Sequence, residues 1–251
     1  MSIFMFTAMR KNLLPASLGA LATVTTLATG CGALGGPELT FKPEEATVKD
    51  VRNLVKTNVV TCRQMMSRYQ LLHDEYDSTL HAIVSWNDHL MQDADRLDQT
   101  PQGQRGSFHC VPIVVKDNIN VAGLPTTGGA SVLAADPTRG NAVIVDKLLG
   151  AGAIVLGKAN MPDFATDGMN TLSSFGGQTP NPYNHTLTVY GSSGGTAAAI
   201  SSSIGIIGLG SDTYGSLVQP GSAAGLVAIR PTQGLVSGSG ILPLMALQDM
   251  A

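Results

Sequence analysis

Three side chains that can pass a proton and attack a carbonyl stand out in the sequence. Ser192 and Ser216 lie 24 positions apart, in Tyr190-Gly191-Ser192-Ser193-Gly194-Gly195 and in Gly210-Ser211-Asp212-Thr213-Tyr214-Gly215-Ser216. Lys116 ends the run Val111-Pro112-Ile113-Val114-Val115. A neutral amine can take a serine proton as an imidazole does, so two serines and a lysine are the parts of an acyl-transfer site that needs no histidine.

These groups must be held by a sheet. Residues 111–115 and 153–156 are short apolar runs bounded by turn residues, the pattern of strands buried on both faces. Residues 141–150 between them read as a helix, giving strand, helix, strand and an α/β fold class. Upstream, Thr61-Cys62-Arg63-Gln64 reads as a capping box that opens a helix with Met65, Tyr69 and Leu72 on one face. Residues 80–86 read as a strand, Asn87 as the cap of a helix that turns Met91, Ala94 and Leu97 inward, and 98–107 as polar loop.

Other motifs compete. Gly152 to Lys158 satisfies a phosphate-loop pattern, but Ala159 replaces the required hydroxyl and the intervening Ala-Ile-Val-Leu makes a strand. Gly191-Ser192-Ser193-Gly194-Gly195 also fits a nucleophile elbow with Ser193 as nucleophile, strand-like 186–189 before it and helix-like 196–200 after it. That arrangement needs a later histidine, whereas His73, His81, His89, His109 and His185 all precede Ser193. The histidines show no metal-ligand spacing, and no cofactor is implied. Cys62 and Cys110 are too few for a disulfide scaffold and receive no role.

Composition bounds the rest. With 251 residues, 43% hydrophobic and 13% charged, the chain is globular, and a net charge of −3 excludes the basic footprint of a nucleic-acid binder. The 29 glycines show no repeat and serve turns and close approaches.

Together the motifs resemble the amidase signature family of serine hydrolases, which includes fatty acid amide hydrolase, bacterial amidases and the A-type component of the glutamyl-tRNA amidotransferase. The likeness runs from about Thr47 to the end. It is densest at Lys116, in Gly157-Lys158-Ala159-Asn160-Met161-Pro162-Asp163-Phe164-Ala165, in the two serine segments and in Ala228-Ile229-Arg230-Pro231-Thr232. The resemblance implies a mixed β-sheet core covered by helices. It implies Ser216 as nucleophile, Ser192 as bridging serine after a cis Gly191-Ser192 peptide, and Lys116 as base. Backbone N–H groups of Thr213, Tyr214, Gly215 and Ser216 would form the oxyanion hole, with Gly191, Ser193, Gly194, Gly195 and Asp212 supporting the loops. The implied reaction is hydrolysis of a small-molecule carboxylic amide.

Three departures accompany it. Tyr214 stands where the family usually has glycine and could narrow the acyl site; Val218 stands where arginine is common, so Asp212 is expected to lack its usual partner. The sequence also stops at Ala251, in a stretch that family members continue, so the domain assigned to 38–251 is expected to lack its carboxyl-terminal part. At the other end, Met9-Arg10-Lys11 precedes an uncharged stretch to Pro37, and residues 1–37 read as an export leader and short linker. Ala28-Thr29-Gly30-Cys31 resembles a lipoprotein cleavage box, with Cys31 as the lipidated residue that would provide membrane attachment. Pro15, Gly19 and four threonines make the stretch a poor membrane span. The expectation is an exported amidase. The alternatives are a cytoplasmic amidotransferase A-type subunit, against which the leader argues, and a catalytically silent amidase-like lipoprotein.

Overall fold

The computed structural model describes residues 7–8, 41–134 and 136–250. The leader assigned to 1–37, Cys31 included, lies outside the described residues except for Thr7 and Ala8. Those two form β1, which pairs antiparallel with β9 (Leu226–Val227).

Two capped helices come first. In α1 (Val48–Lys56) Thr47 and Asp50 close a capping box beyond the one expected from the sequence, and in α2 (Cys62–Leu80) Thr61 and Gln64 close the expected one. Met65, Tyr69 and Leu72 are buried along one face of α2. The helix ends where His81 turns left-handed at φ 47°, so the following strand β2 is only Ile83–Trp86. Next, α3 (Leu90–Asp98) starts later than expected, with His89 at its cap. Asn87 instead bonds inward, donating Nδ2 to Val155 O at 2.9 Å while its Oδ1 accepts from His89 N. The polar loop after α3 contains one short 3₁₀ turn, Gln102–Gln104.

The core sheet has strand order β2-β4-β3-β8, with β3 at Pro112–Lys116, β4 at Ile154–Ala159 and β8 at Ile207–Leu209. β3 is parallel to both neighbours and β2 is antiparallel to β4, so the sheet is mixed. Every residue of β3, β4 and β8 is buried, which is why their sequences are apolar without alternation. Helix α4 (Val143–Gly150) supplies the crossover from β3 to β4. Helix α5 (Gly194–Ser201) packs on β3 and β8, and α3 packs on β4. Its small residues let α5 sit close: a Cβ on Gly195 would lie 2.3 Å from Asn160 O and 2.5 Å from Asn160 N.

A second, antiparallel sheet of β5 (Thr171–Ser173), β6 (Gly177–Asn181) and β7 (Asn184–Thr188) lies between β4 and α5 in the chain. The strand expected to lead into Ser193 is therefore the exposed outer strand of a hairpin, not part of the core sheet. A six-residue helix, α6 (Val218–Ala223), follows Ser216.

One expectation is corrected outright. Cys62 and Cys110 are joined in a disulfide, with Cα atoms 5.3 Å apart, tying the first residue of α2 to the entry of β3. Spacing alone does not disclose a pair 48 residues apart that only the packing of α2 against the sheet brings together. Both cysteines are fully buried.

Candidate active site

Parallel β3 and β8 end on the same side of the sheet, and the loops that follow them meet there. This is where an open α/β sheet places its ligands. Lys116 is the last residue of β3, and Ser211 lies two residues beyond β8. Ser192 reaches the same place from the loop before α5, after a cis Gly191-Ser192 peptide bond. Gly191 is required there, since a Cβ would sit 2.3 Å from Asp167 O.

Lys116 is wholly buried, with Nζ 2.7 Å from Ser192 Oγ and 2.9 Å from Ser211 Oγ. Its hydrogen-bonding partners are neutral. Burial pushes its pKa down to about 7, against the opposing pull of the Asp212 and Asp249 carboxylates. Ser211 is the junction of the cluster: its Oγ also accepts from Asn118 Nδ2 at 3.0 Å, and its carbonyl accepts from Ser193 Oγ at 3.2 Å. Ser193, which the elbow reading makes a nucleophile, is fully buried at the start of α5 with its hydroxyl turned to that carbonyl.

Ser216 is half-buried beside this cluster, and its carbonyl accepts from Ser193 N at 3.0 Å. Asp212 shapes the turn that carries it. The buried carboxylate accepts from Gly215 N at 2.8 Å and from Leu217 N at 2.9 Å. Gly215, at φ 108°, takes a backbone conformation that favours glycine. Among the described residues, the N–H groups of Thr213, Tyr214 and Ser216 have no hydrogen-bond acceptor, whereas that of Gly215 points at Asp212. Three of the four amides named from the sequence are thus without an acceptor among the described residues, and the fourth holds the turn.

Asp212 does not lack a cation. Arg230 Nε lies 3.1 Å from Asp212 Oδ1, while Val218 contributes only its backbone N–H, 3.4 Å from Oδ2. Tyr214 is turned outward, 66% exposed, with its hydroxyl 3.0 Å from Met245 Sδ. The segment after Pro243 folds over the turn: Asp249 accepts from Thr213 Oγ1 at 2.5 Å and from Leu244 N at 2.7 Å, and Met250 pairs with Asp212 through two backbone bonds. A cavity of about 280 Å³ opens next to Ser211, lined by Pro231, Val236, Ile241 and Pro243 with Asp249 at its edge.

A second lysine supports the first. Lys158, in β4 beside β3, is buried, and its Nζ faces Asp117 Oδ1 at 3.3 Å in an ion pair without hydrogen-bond alignment. Burial pushes the Lys158 pKa down to about 8. Nζ also donates to Pro125 O at 3.0 Å and Thr126 Oγ1 at 2.9 Å, and Asp117 Oδ2 accepts from Gly129 N at 3.0 Å. The pair fixes residues 125–129 against the end of β3. The residue that completes the phosphate-loop pattern is therefore an internal counter-charge. Among the described residues, one group brings metal-ligand atoms within 4.8 Å of one another, Cys62, His109 and Cys110. Its two sulfurs are bonded to each other, which removes the thiolates a metal would need.

A family model described as Amidase matches residues 61–251. The chain belongs to the amidase family. It is 44% identical over 186 residues to the A-type component of the glutamyl-tRNA(Gln) amidotransferase of Deinococcus radiodurans, an alignment covering 72% of this chain and 38% of that protein. Its fold is similar to the peptide amidase of Stenotrophomonas maltophilia, with TM-score 0.78 and 33% identity over 82% of this chain and 44% of that one. An amidase family protein from Bacillus anthracis superposes with TM-score 0.79 and 32% identity, covering 82% and 43%. The chain therefore spans less than half the length of the relatives it matches.

The sequence points to Lys116, Ser192, Ser193, Asp212 and the 213–216 turn, and the fold brings these together. It assigns no role to Ser211, Asn118, Arg230 or Asp249. Ser211 is adjacent to Asp212 and Asn118 is two residues from Lys116, so proximity is an available signal for both. Asp249 has none, because 36 residues separate it from Thr213 and only the tertiary fold brings the two together.

Proposed function

We propose that this amidase-family chain hydrolyses a carboxylic amide through a serine acyl-enzyme. Ser216 Oγ attacks the carbonyl carbon as its proton passes to Ser192 and the Ser192 proton passes to the lone pair of neutral Lys116. In this reading the N–H groups of Thr213, Tyr214 and Ser216, which have no acceptor among the described residues, receive the oxyanion. When the C–N bond breaks, the proton returns through Ser192 to the leaving amine; water then repeats the sequence and frees the acid. The observation that carries this reading is Lys116, buried among neutral hydrogen-bond partners, 2.7 Å from Ser192 Oγ and with a pKa lowered to about 7. Such an amine is neutral in an appreciable fraction near pH 7 and can act as a base.

A fluorophosphonate probe tests it: label should fall on Ser216 and disappear in Ser216→Ala. Labelling that persists in Ser216→Ala and vanishes in Ser193→Ala would favour the elbow reading instead.

Export is part of the proposal. The leader pattern in 1–37 supports it, and so does the Cys62–Cys110 disulfide, since disulfides persist mainly in oxidising compartments. Lipidation at Cys31 would then attach the protein to a membrane. The second reading, an amidotransferase A-type subunit, is favoured by the identity to the Deinococcus radiodurans protein. Turnover of simple amides by the isolated chain would support the first reading, and turnover only with partner subunits the second.

A further inference from the structure

We propose that Arg230 is a positioning residue for the nucleophile turn, acting through Asp212. The proposal concerns the site assigned above and rests on that reading for its link to catalysis. The Asp212 carboxylate has no exposed surface, and each of its oxygens already serves the turn, Oδ1 accepting from Gly215 N and Oδ2 from Leu217 N. These two amides flank Ser216, so the direction of its side chain and of the Thr213 and Tyr214 amides depends on the carboxylate staying in place. A buried carboxylate without a cation is costly. Arg230 Nε, 3.1 Å from Oδ1, is the cation that forms an ion pair with it.

Its route to the carboxylate is distinctive. Position 218 adjoins Asp212, with Val218 N 3.4 Å from Oδ2, but its apolar side chain offers the carboxylate no charge. The counter-charge comes from Arg230, beyond α6 and β9. The Arg230 side chain is 38% exposed, so the ion pair has one partner reaching solvent, beside Pro231, which lines the cavity. The nucleophile turn is thereby coupled to the 228–232 segment.

The test follows amide hydrogen exchange by NMR in the full chain, together with the rate of fluorophosphonate labelling at Ser216. In R230M, exchange at Gly215 and Leu217 should accelerate by about tenfold or more, the scale of a lost charge-assisted bond, while Ile113 and Val115 in β3 keep their protection. Labelling should slow in parallel. Adding V218R, which returns a guanidinium to Asp212 from the other side, should restore both. Unchanged exchange at the two amides in R230M overturns the proposal. So does an equal loss of protection through β3, which would make Arg230 a general stabiliser, and so does a double variant as loose as R230M. If R230M does not fold, R230Q, which removes the charge but keeps a polar side chain, is read by the same criteria. A wild-type chain whose turn is protected and loosens in R230M, yet never labels, counts against the proposed function and not against this coupling.

Discussion

The backbone N–H of Ser193 donates to the carbonyl of Ser216 at 3.0 Å, joining the loop that carries one serine of the site to the turn that carries the other. Neither loop belongs to the core sheet. What aligns them is this bond together with Ser211, whose carbonyl and hydroxyl face Ser193 and Lys116. The geometry of the site therefore depends on loop-to-loop contacts at least as much as on the strands below.

Replacement of Ser192 by alanine should leave the fold intact and lower kcat by about 10²–10⁴, the usual contribution of a proton-transfer group. Because the proposed nucleophile remains, KM should change little. Steady-state kinetics on an aryl amide check this, and an unchanged kcat would remove Ser192 from the proton path.

Activity should rise with pH through about 7 and level off above it, as burial makes Lys116 neutral. Stability should move the same way. Between about 7 and the ordinary value of 10.5 the unfolded chain holds a proton on this lysine that the folded chain does not, so unfolding free energy increases with pH. Lys158, lowered to about 8, adds to the same slope over a narrower window. Lys116→Met should abolish the activity limb and flatten part of the stability slope, while raising stability at neutral pH. Urea titrations at a series of pH values measure it; a slope unchanged in Lys116→Met would contradict the assignment.

Lys158→Met leaves the buried Asp117 carboxylate without its cation and should cost about 3–5 kcal/mol. Combining it with Asp117→Asn should recover a large share, because the two residues act as a unit. Chemical denaturation of the single and double variants gives the coupling, and additive losses would show that the pair is not one.

Reduction of the Cys62–Cys110 disulfide should lower stability by about 4 kcal/mol on the loop-closure scale for a 48-residue separation. Thiol titration in denaturant should find neither cysteine reactive until reductant is added. Reactive thiols at Cys62 and Cys110 in the untreated protein, over and above that of Cys31, would refute the bond.

Gly195→Ala should prevent α5 from seating and abolish cooperative unfolding, since the new methyl meets Asn160 O at 2.3 Å and Ala82 O at 2.8 Å, both backbone atoms. Gly103→Ala, which meets nothing within 4 Å, is the control and should be close to neutral. A cooperative, fully active Gly195→Ala variant would mean that the helix sits further from the sheet.

Much of this fold is legible in the sequence because the responsible signals are local. The all-apolar runs at 111–115 and 153–156 announce strands buried on both faces, and the Thr61 box announces α2. The failures are non-local. Nothing near Cys62 reveals Cys110, and nothing near Asp212 reveals that its cation is Arg230. Asn87 has the composition of a helix cap, yet a tertiary partner, the carbonyl of Val155, holds its side chain and the helix begins at Leu90 instead. Short-range propensity gives way to a buried hydrogen bond.

The wide separation of the site's parts along the chain has a consequence for its biogenesis. Lys116 is 76 residues ahead of Ser192 and 95 ahead of Ser211. On a ribosome adding roughly 5–20 residues per second, this lysine waits several seconds before its partners exist. Throughout that interval it is solvated, fully protonated and inert. Ser192, β8 and Ser211 all follow Lys116 in the chain, so on the proposed function the buried, neutral amine is expected only after synthesis has passed residue 211.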